Sequence, residues 1–123
     1  MIAYMSTMRA HPERRGELLE LLRELVDAAA NEEPRTLVYV MHEAADDPDT
    51  VVSYELFADE AALEAHKASP VVAAVVPQLG ALIAEGSFRR LDPAFATGLP
   101  TQPESGRSSS SVVRAIARRI AGS

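Results

Sequence analysis

The chain has 123 residues, room for one domain with its own core and no need of covalent staples. It contains no cysteine, which excludes disulfides, thiolate nucleophiles and cysteine-ligated zinc or iron–sulfur sites. The net charge of −6 is unevenly placed: residues 96–123 carry Arg107, Arg114, Arg118 and Arg119 against Glu104 alone, so the preceding body is strongly acidic. An acidic body is a poor grip for nucleic acid, whose binding is largely phosphate neutralisation, and no nucleic-acid partner is expected.

Residues 1–15 do not read as a secretory leader, because their positive charges follow a short alternating run instead of preceding an apolar one. No apolar run approaches the ~20 residues of a membrane span, so a cytoplasmic location is expected. Ile2 to Met8 reads as the first strand, with Ile2/Tyr4/Ser6/Met8 on one face and Ala3/Met5/Thr7 on the other. His11-Pro12 is expected to begin a helix, Pro12 being tolerated in a first turn. Leu18, Leu22, Leu25 and Ala29 recur at helical spacing, while Glu17, Glu20, Arg23, Glu24 and Asp27 fill the opposite side.

Pro34 closes a turn before a second strand, Thr36 to Glu43, with Leu37/Tyr39/Met41 facing one way and Val38/Val40/His42 the other. Ala44 to Asp49 is a loop by composition. Thr50 to Phe57 is a third strand, with Val52/Tyr54/Leu56 opposite Val51/Ser53/Glu55/Phe57. A helix opens at Asp59, a good N-cap, and carries His66 near its end. His66 follows Leu63 by three residues and Ala62 by four, so it shares their face. It is either a packed core residue or the polar group of a pocket. Ser69-Pro70 opens a second helical piece, Ser69 as cap and Pro70 at the first helical position, and Pro77 is expected to break or kink it. Ala84 to Leu91 is a fourth strand, ended by Asp92-Pro93.

The order β-α-β-β-α-β predicts an α+β, ferredoxin-like fold: a four-stranded antiparallel sheet with two helices on one face. Strands one to three are apolar on both faces, yet helices can cover only one. A second copy of the same sheet is the economical cover, so a homodimer is expected.

Residues 36–39, the Asp-Pro-Asp loop, Tyr54-Glu55-Leu56-Phe57, residues 58–66 ending in His66, and Ser69-Pro70 together resemble the antibiotic biosynthesis monooxygenase family. The resemblance covers about residues 1–95, and the succession of strand Glu, helix His and Ser-Pro is more specific than any one part. It implies a dimeric α+β barrel of two ferredoxin-like protomers. Members of that family oxygenate quinols or polyketide anthrones with O2 and neither metal nor flavin, degrade haem, or have no assigned activity. Haem-degrading members are alike in an Asn on the first strand, a Trp, and an iron-ligating His on the second helix. Here there is no Trp, Ser6 stands about where the Asn would be, and Val71 to Val76 offers no His, which argues against haem degradation.

The chemistry implied is oxygenation of a small aromatic substrate without cofactor or metal. A phenol or anthrone that loses a proton becomes a much better reductant, and its anion can pass an electron to O2 directly. The protein must bind the ring, assist deprotonation and stabilise the oxyanion. The catalytic candidates are His66, as base or hydrogen-bond partner, and Glu55, which could orient it. Substrate-binding candidates are Tyr4, Tyr39 and Tyr54, which could stack on a planar ring, with His42 and Ser6. Tyr54 and Glu55 point to opposite faces of one strand, so these residues cannot all share one pocket. Each has a packing reading too: Tyr39 and Tyr54 are strong strand formers, Glu55 can be satisfied by a backbone or Arg partner, and His42 can simply end a strand. The alternative function is a non-catalytic ligand-binding or assembly domain on the same scaffold.

The domain reading is a body over 1–95, a flexible Pro/Gly/Ser-rich linker over 96–110, and a short basic amphipathic helix over 111–123. In that last segment Val112, Ile116 and Ile120 stack at helical spacing, with Arg114 and Arg118 on another side. Residues 111–121 have the design of a docking peptide. Their expected occupancies are the chain's own acidic body, a protein scaffold, or the lumen of a bacterial protein shell. Three turns with only aliphatic anchors would hold a membrane weakly.

Overall fold

The computed structural model describes residues 1–99. Its elements run β1 (Ile2–Ala10), α1 (Arg15–Glu32), β2 (Thr36–Glu43), β3 (Thr50–Phe57), α2 (Glu60–Lys67), α3 (Pro70–Leu79) and β4 (Ile83–Leu91). The strands form one antiparallel sheet in the order β2-β3-β1-β4, with the hairpin β2–β3 on one side of β1 and the last strand on the other. This is the ferredoxin-like arrangement expected from the element order.

Helix α1 presents Leu18, Leu22, Leu25 and Ala29 to the sheet, all buried, as their spacing predicts. It starts later than expected. His11-Pro12 does not begin the helix, because the chain there is held in a turn. The His11 amide donates to the Leu82 carbonyl, the Ala10 amide donates to the Asp49 carbonyl, and Glu13 takes a left-handed conformation with φ 68°. Helical geometry can resume only once those bonds are made, at Arg15.

Helix α2 starts as predicted: the Ala62 amide donates to Asp59 Oδ1 at 2.9 Å, an N-cap bond. The Ser69 hydroxyl, by contrast, caps nothing and is buried without a hydrogen-bond partner among the described residues. Pro70 takes the first position of α3. Pro77 does not break that helix, which runs on to Leu79. The bond it cannot make and the clash of its ring fall on the preceding turn, and the helix ends two residues after it.

Strand β2 carries a bulge. Thr36 pairs with Phe57 and Val38 with Leu56, which leaves Leu37 unpaired and lets both Thr36 and Leu37 be buried. Leu37 joins Ile2, Leu56, Phe57 and Leu63 in one cluster, against which Leu99 packs. A second cluster holds Met8, Leu18, Leu22, Leu25, Val51 and Val75 between sheet and helices. The other sheet face keeps Met5 and Val40 exposed at 39% and 36%, with Val38, Val52 and Tyr54 half-buried. Among the described residues no helix is long and apolar enough to cross a membrane.

Leu18 is fully buried under the sheet. Leu18→Ala should lower the free energy of unfolding by about 2–5 kcal/mol, read from urea titrations. A change within a few tenths of a kcal/mol would mean that α1 is not docked as described.

Candidate functional site

Strand parity sets up the site. The registers pair Tyr4 with Glu55 and Ser6 with Ser53 across β1 and β3, and Tyr39 with Glu55 and Met41 with Ser53 across β2 and β3. All of these side chains face the helices, where they line a cavity of about 570 Å³ between the sheet and the helical layer. Leu22 and Leu25 of α1 and Val72, Val76 and Leu79 of α3 supply its apolar wall. At its rim the rings of Tyr4 and Phe88 stack with centroids 4.7 Å apart, Phe88 being 65% exposed.

His66 enters this cavity from α2. Its Nδ1 lies 2.8 Å from Glu33 Oε1, and its Nε2 lies 3.3 Å from Glu55 Oε1. The Phe57 ring is 5.2 Å away and Tyr39 meets the imidazole edge-on at 5.6 Å. Glu33, Glu55 and His66 are all buried.

The position of Glu33 follows from local structure. It caps the end of α1, its amide donating to Ala29 O at 3.0 Å, and its Oε1 also accepts from the Thr36 hydroxyl at 2.8 Å. The same turn is tied to the start of α2 by the Ala58 amide donating to Arg35 O, and by the Arg35–Asp59 ion pair at 2.7 Å. Helix α2 is thereby anchored beside the turn that carries Glu33, and His66 is brought onto it.

Burial alone would push the His66 pKa down. Hydrogen bonds to Glu33 and Glu55, and the charges of both carboxylates, outweigh burial and raise it to about 9. His66 is thus an imidazolium at neutral pH, a donor at both nitrogens. Tyr39 is pushed up, first by burial and then by the charge of Glu55 and a hydrogen bond to it, with Glu33 adding to the effect. Its hydroxyl therefore stays protonated and donates to Glu55. The arrangement offers a carboxylate able to take a proton, a fixed positive charge and a phenolic donor, all against an apolar cavity.

Of the residues singled out by sequence, Tyr4, Ser6, Tyr39, Glu55 and His66 converge on the cavity. His42 and Tyr54 do not. They lie on the opposite sheet face, where His42 is exposed, with Nδ1 2.9 Å from the Val52 carbonyl, and Tyr54 sits between Met5 and Val40. Sequence reasoning missed Glu33, Ser53 and Phe88. Ser53 had a signal: it interrupts an apolar strand on the face of Glu55. Glu33 had none, being 33 positions from His66 and in a turn whose path only the fold defines. Among the described residues no group of three or more His, Asp or Glu side chains is arranged to hold a metal ion.

The fold is ferredoxin-like α+β, with a buried acid–base cluster at the polar end of an apolar cavity under its helices. The chain belongs to the antibiotic biosynthesis monooxygenase family, whose model matches residues 1–78. No curated protein matches the sequence. Among solved structures, a candidate antibiotic biosynthesis monooxygenase of Chloroflexus aurantiacus is 25% identical, with a TM-score of 0.69 over 80% of this chain and 98% of that one. A Pseudomonas aeruginosa protein is 26% identical, with a TM-score of 0.68 over 76% of this chain and 94% of that one. A Mycobacterium tuberculosis protein, 24% identical over 77% of this chain and 96% of that one, shares the fold with a TM-score of 0.71.

A histidine whose pKa rises on folding stabilises the fold fully below its unfolded value, and that contribution is lost as pH rises through the folded value. The His66 ring should titrate by NMR with a midpoint near 9, and thermal stability should decline as pH rises from about 6.5 through 9. His66→Gln should flatten that decline, and Glu33→Gln should lower the midpoint of His66. A midpoint at the ordinary histidine value in the native protein would contradict the geometry of the two carboxylates.

Proposed function

We propose that this chain is a monooxygenase that uses O2, without metal or flavin, on a phenolic, quinol or anthrone-like small molecule. The observation that carries the reading is the apolar cavity with His66 held between Glu33 and Glu55 at its polar end. A planar ring fits such a space, and its acidic hydrogen would meet the one place where a proton can be taken and the resulting charge held. An interior filled by Leu, Val and Met would have favoured the non-catalytic alternative.

In this mechanism Glu55 accepts the substrate proton. His66, already charged below about pH 9, cannot accept one and instead stabilises the oxyanion, with Tyr39 as a further donor. The anion passes one electron to O2, giving a carbon-centred radical and superoxide, which combine to a peroxide. The proton held by Glu55 returns to the peroxide anion, and loss of water from the resulting hydroperoxide leaves the oxidised ring. For an anthrone the sum is one methylene and one O2 giving one carbonyl and one water.

The working unit in this reading is a homodimer, with Met5, Val40 and Tyr54 of the uncovered sheet face packed against a second copy. Residues 100–123 lie outside the described residues. Of the partners open to residues 111–121, we favour a protein scaffold or the lumen of a bacterial protein shell, which would place the enzyme in the cytoplasm.

Oxygen uptake should exceed the spontaneous rate with at least one member of a panel of anthrones and hydroquinones, and His66→Ala or Glu55→Gln should slow it on the order of 10²-fold. No uptake with any member would overturn the oxygenase reading for these classes. Ending the chain after Leu99 should leave the dimer, measured by light scattering, and the uptake rate unchanged. Loss of either would show that the tail belongs to the body and is no separate docking segment.

A further inference from the structure

We propose that Ser6 and Ser53 form a second polar subsite, a hydrogen-bond donor on the cavity floor that recognises an acceptor oxygen of the ligand. The inference rests on the reading that the cavity takes a small aromatic molecule. It adds that this molecule carries a carbonyl or equivalent acceptor across the ring from its acidic hydroxyl.

The two serines sit opposite each other on the two central strands, and their hydroxyls are hydrogen-bonded to each other. Both residues are buried, at 9% and 3% exposure, and both line the cavity. Positions at the middle of a sheet, under a helical layer, are normally filled by branched apolar side chains. Val51, one step along the same face of β3, is such a residue and is fully buried. Two serines here forgo apolar burial and leave space above them. Their neighbours across the strands are Met41, beside Ser53, and Phe88, beside Ser6, neither of which offers a strong acceptor.

Proton counting gives the pair its chemistry. Two hydroxyls carry two hydrogens, and a mutual hydrogen bond uses one. Among the described residues neither hydroxyl has another partner. The second hydrogen is therefore left to donate, and the oxygen bearing it is polarised by the bond it already accepts. In an apolar surrounding such a donor favours an acceptor oxygen and returns little to an alkyl group.

Position adds a length requirement. Ser53 and Glu55 are two residues apart on one strand face, which puts their side chains roughly 7 Å apart along the cavity wall. A single benzene ring with oxygen functions at opposite ends spans such an interval. Its hydroxyl would meet Glu55 and His66, and its acceptor would meet the serine pair.

Two probes separate these terms: 4-hydroxyacetophenone, which has the acceptor, and 4-ethylphenol, which lacks it. Binding to the full-length protein would be measured by calorimetry, with the His66 ring signals confirming that each probe enters the cavity. The ketone should bind about tenfold more tightly, which is what one hydrogen bond of ordinary strength supplies. In Ser6→Ala/Ser53→Ala the ratio should fall towards one, with 4-ethylphenol binding unchanged or improved. The single Ala variants, checked for folding by circular dichroism, each keep one hydroxyl hydrogen free to donate and should retain part of the preference, so that only the double variant abolishes it. A ratio near one in the native protein would overturn the subsite alone. So would a ratio that survives in the double variant, since the greater acidity of the ketone phenol would then account for it. If neither probe binds, the aromatic-pocket reading falls and the subsite with it.

Discussion

Two buried carboxylates on either side of one imidazole ring set the terms for the rest of this domain. Each carboxylate taken out of water costs several kcal/mol unless a partner of opposite charge is fixed against it. His66 is that partner for both Glu33 and Glu55, through different nitrogens. The ring can serve both only as an imidazolium, and the two anions hold it in that form. Thr36 and Tyr39 supply further donors to the same carboxylates. One Glu33 oxygen is left without a partner among the described residues, so the cluster is polar to the edge of what a buried site can satisfy.

Three separate pieces of chain must arrive together for this to work. Glu33 comes from the end of α1, Glu55 from the middle of β3, and His66 from the last turn of α2. The ferredoxin-like crossover places α2 over β2 and β3, but leaves its rotation and height open. Those are settled by Asp59, which caps α2 and holds Arg35, and by Arg35, whose carbonyl accepts from Ala58. The bulge at Leu37 contributes as well. By displacing one residue it turns Thr36 inward to Glu33 while keeping Tyr39 on the face of Glu55.

How much of this can be read in the sequence depends on whether the cause is local. Parity in β1 and β3 put Tyr4, Ser6 and Glu55 on defined faces, and the spacing of Ala62, Leu63 and His66 put the histidine under the helix. A period of two or 3.6 is a local property, and both held. Where α1 begins is not local. Pro12 suits a first turn, but bonds from Ala10 and His11 to Asp49 and Leu82, both far along the chain, decide otherwise. Ser69 has the residue type of a cap and makes no cap bond, because capping depends on a rotamer that composition does not specify. Glu33 was invisible for the same reason on a larger scale: an acidic residue in a turn is usually solvated, and only the approach of α2 buries it.

The cavity itself has a structural cost that bears on the uncovered face. Small side chains at Ser6, Ser53 and Gly86 leave space where larger ones would pack, so the helix-side core contributes less than its area could. A domain of this size has few other places to recover that burial. The opposite face carries Met5, Val38, Val40, Val52 and Tyr54 together, with Met5 and Val40 exposed and the other three half-buried. Packing that patch against a second copy would restore what the cavity gives up, without filling the space a ligand needs.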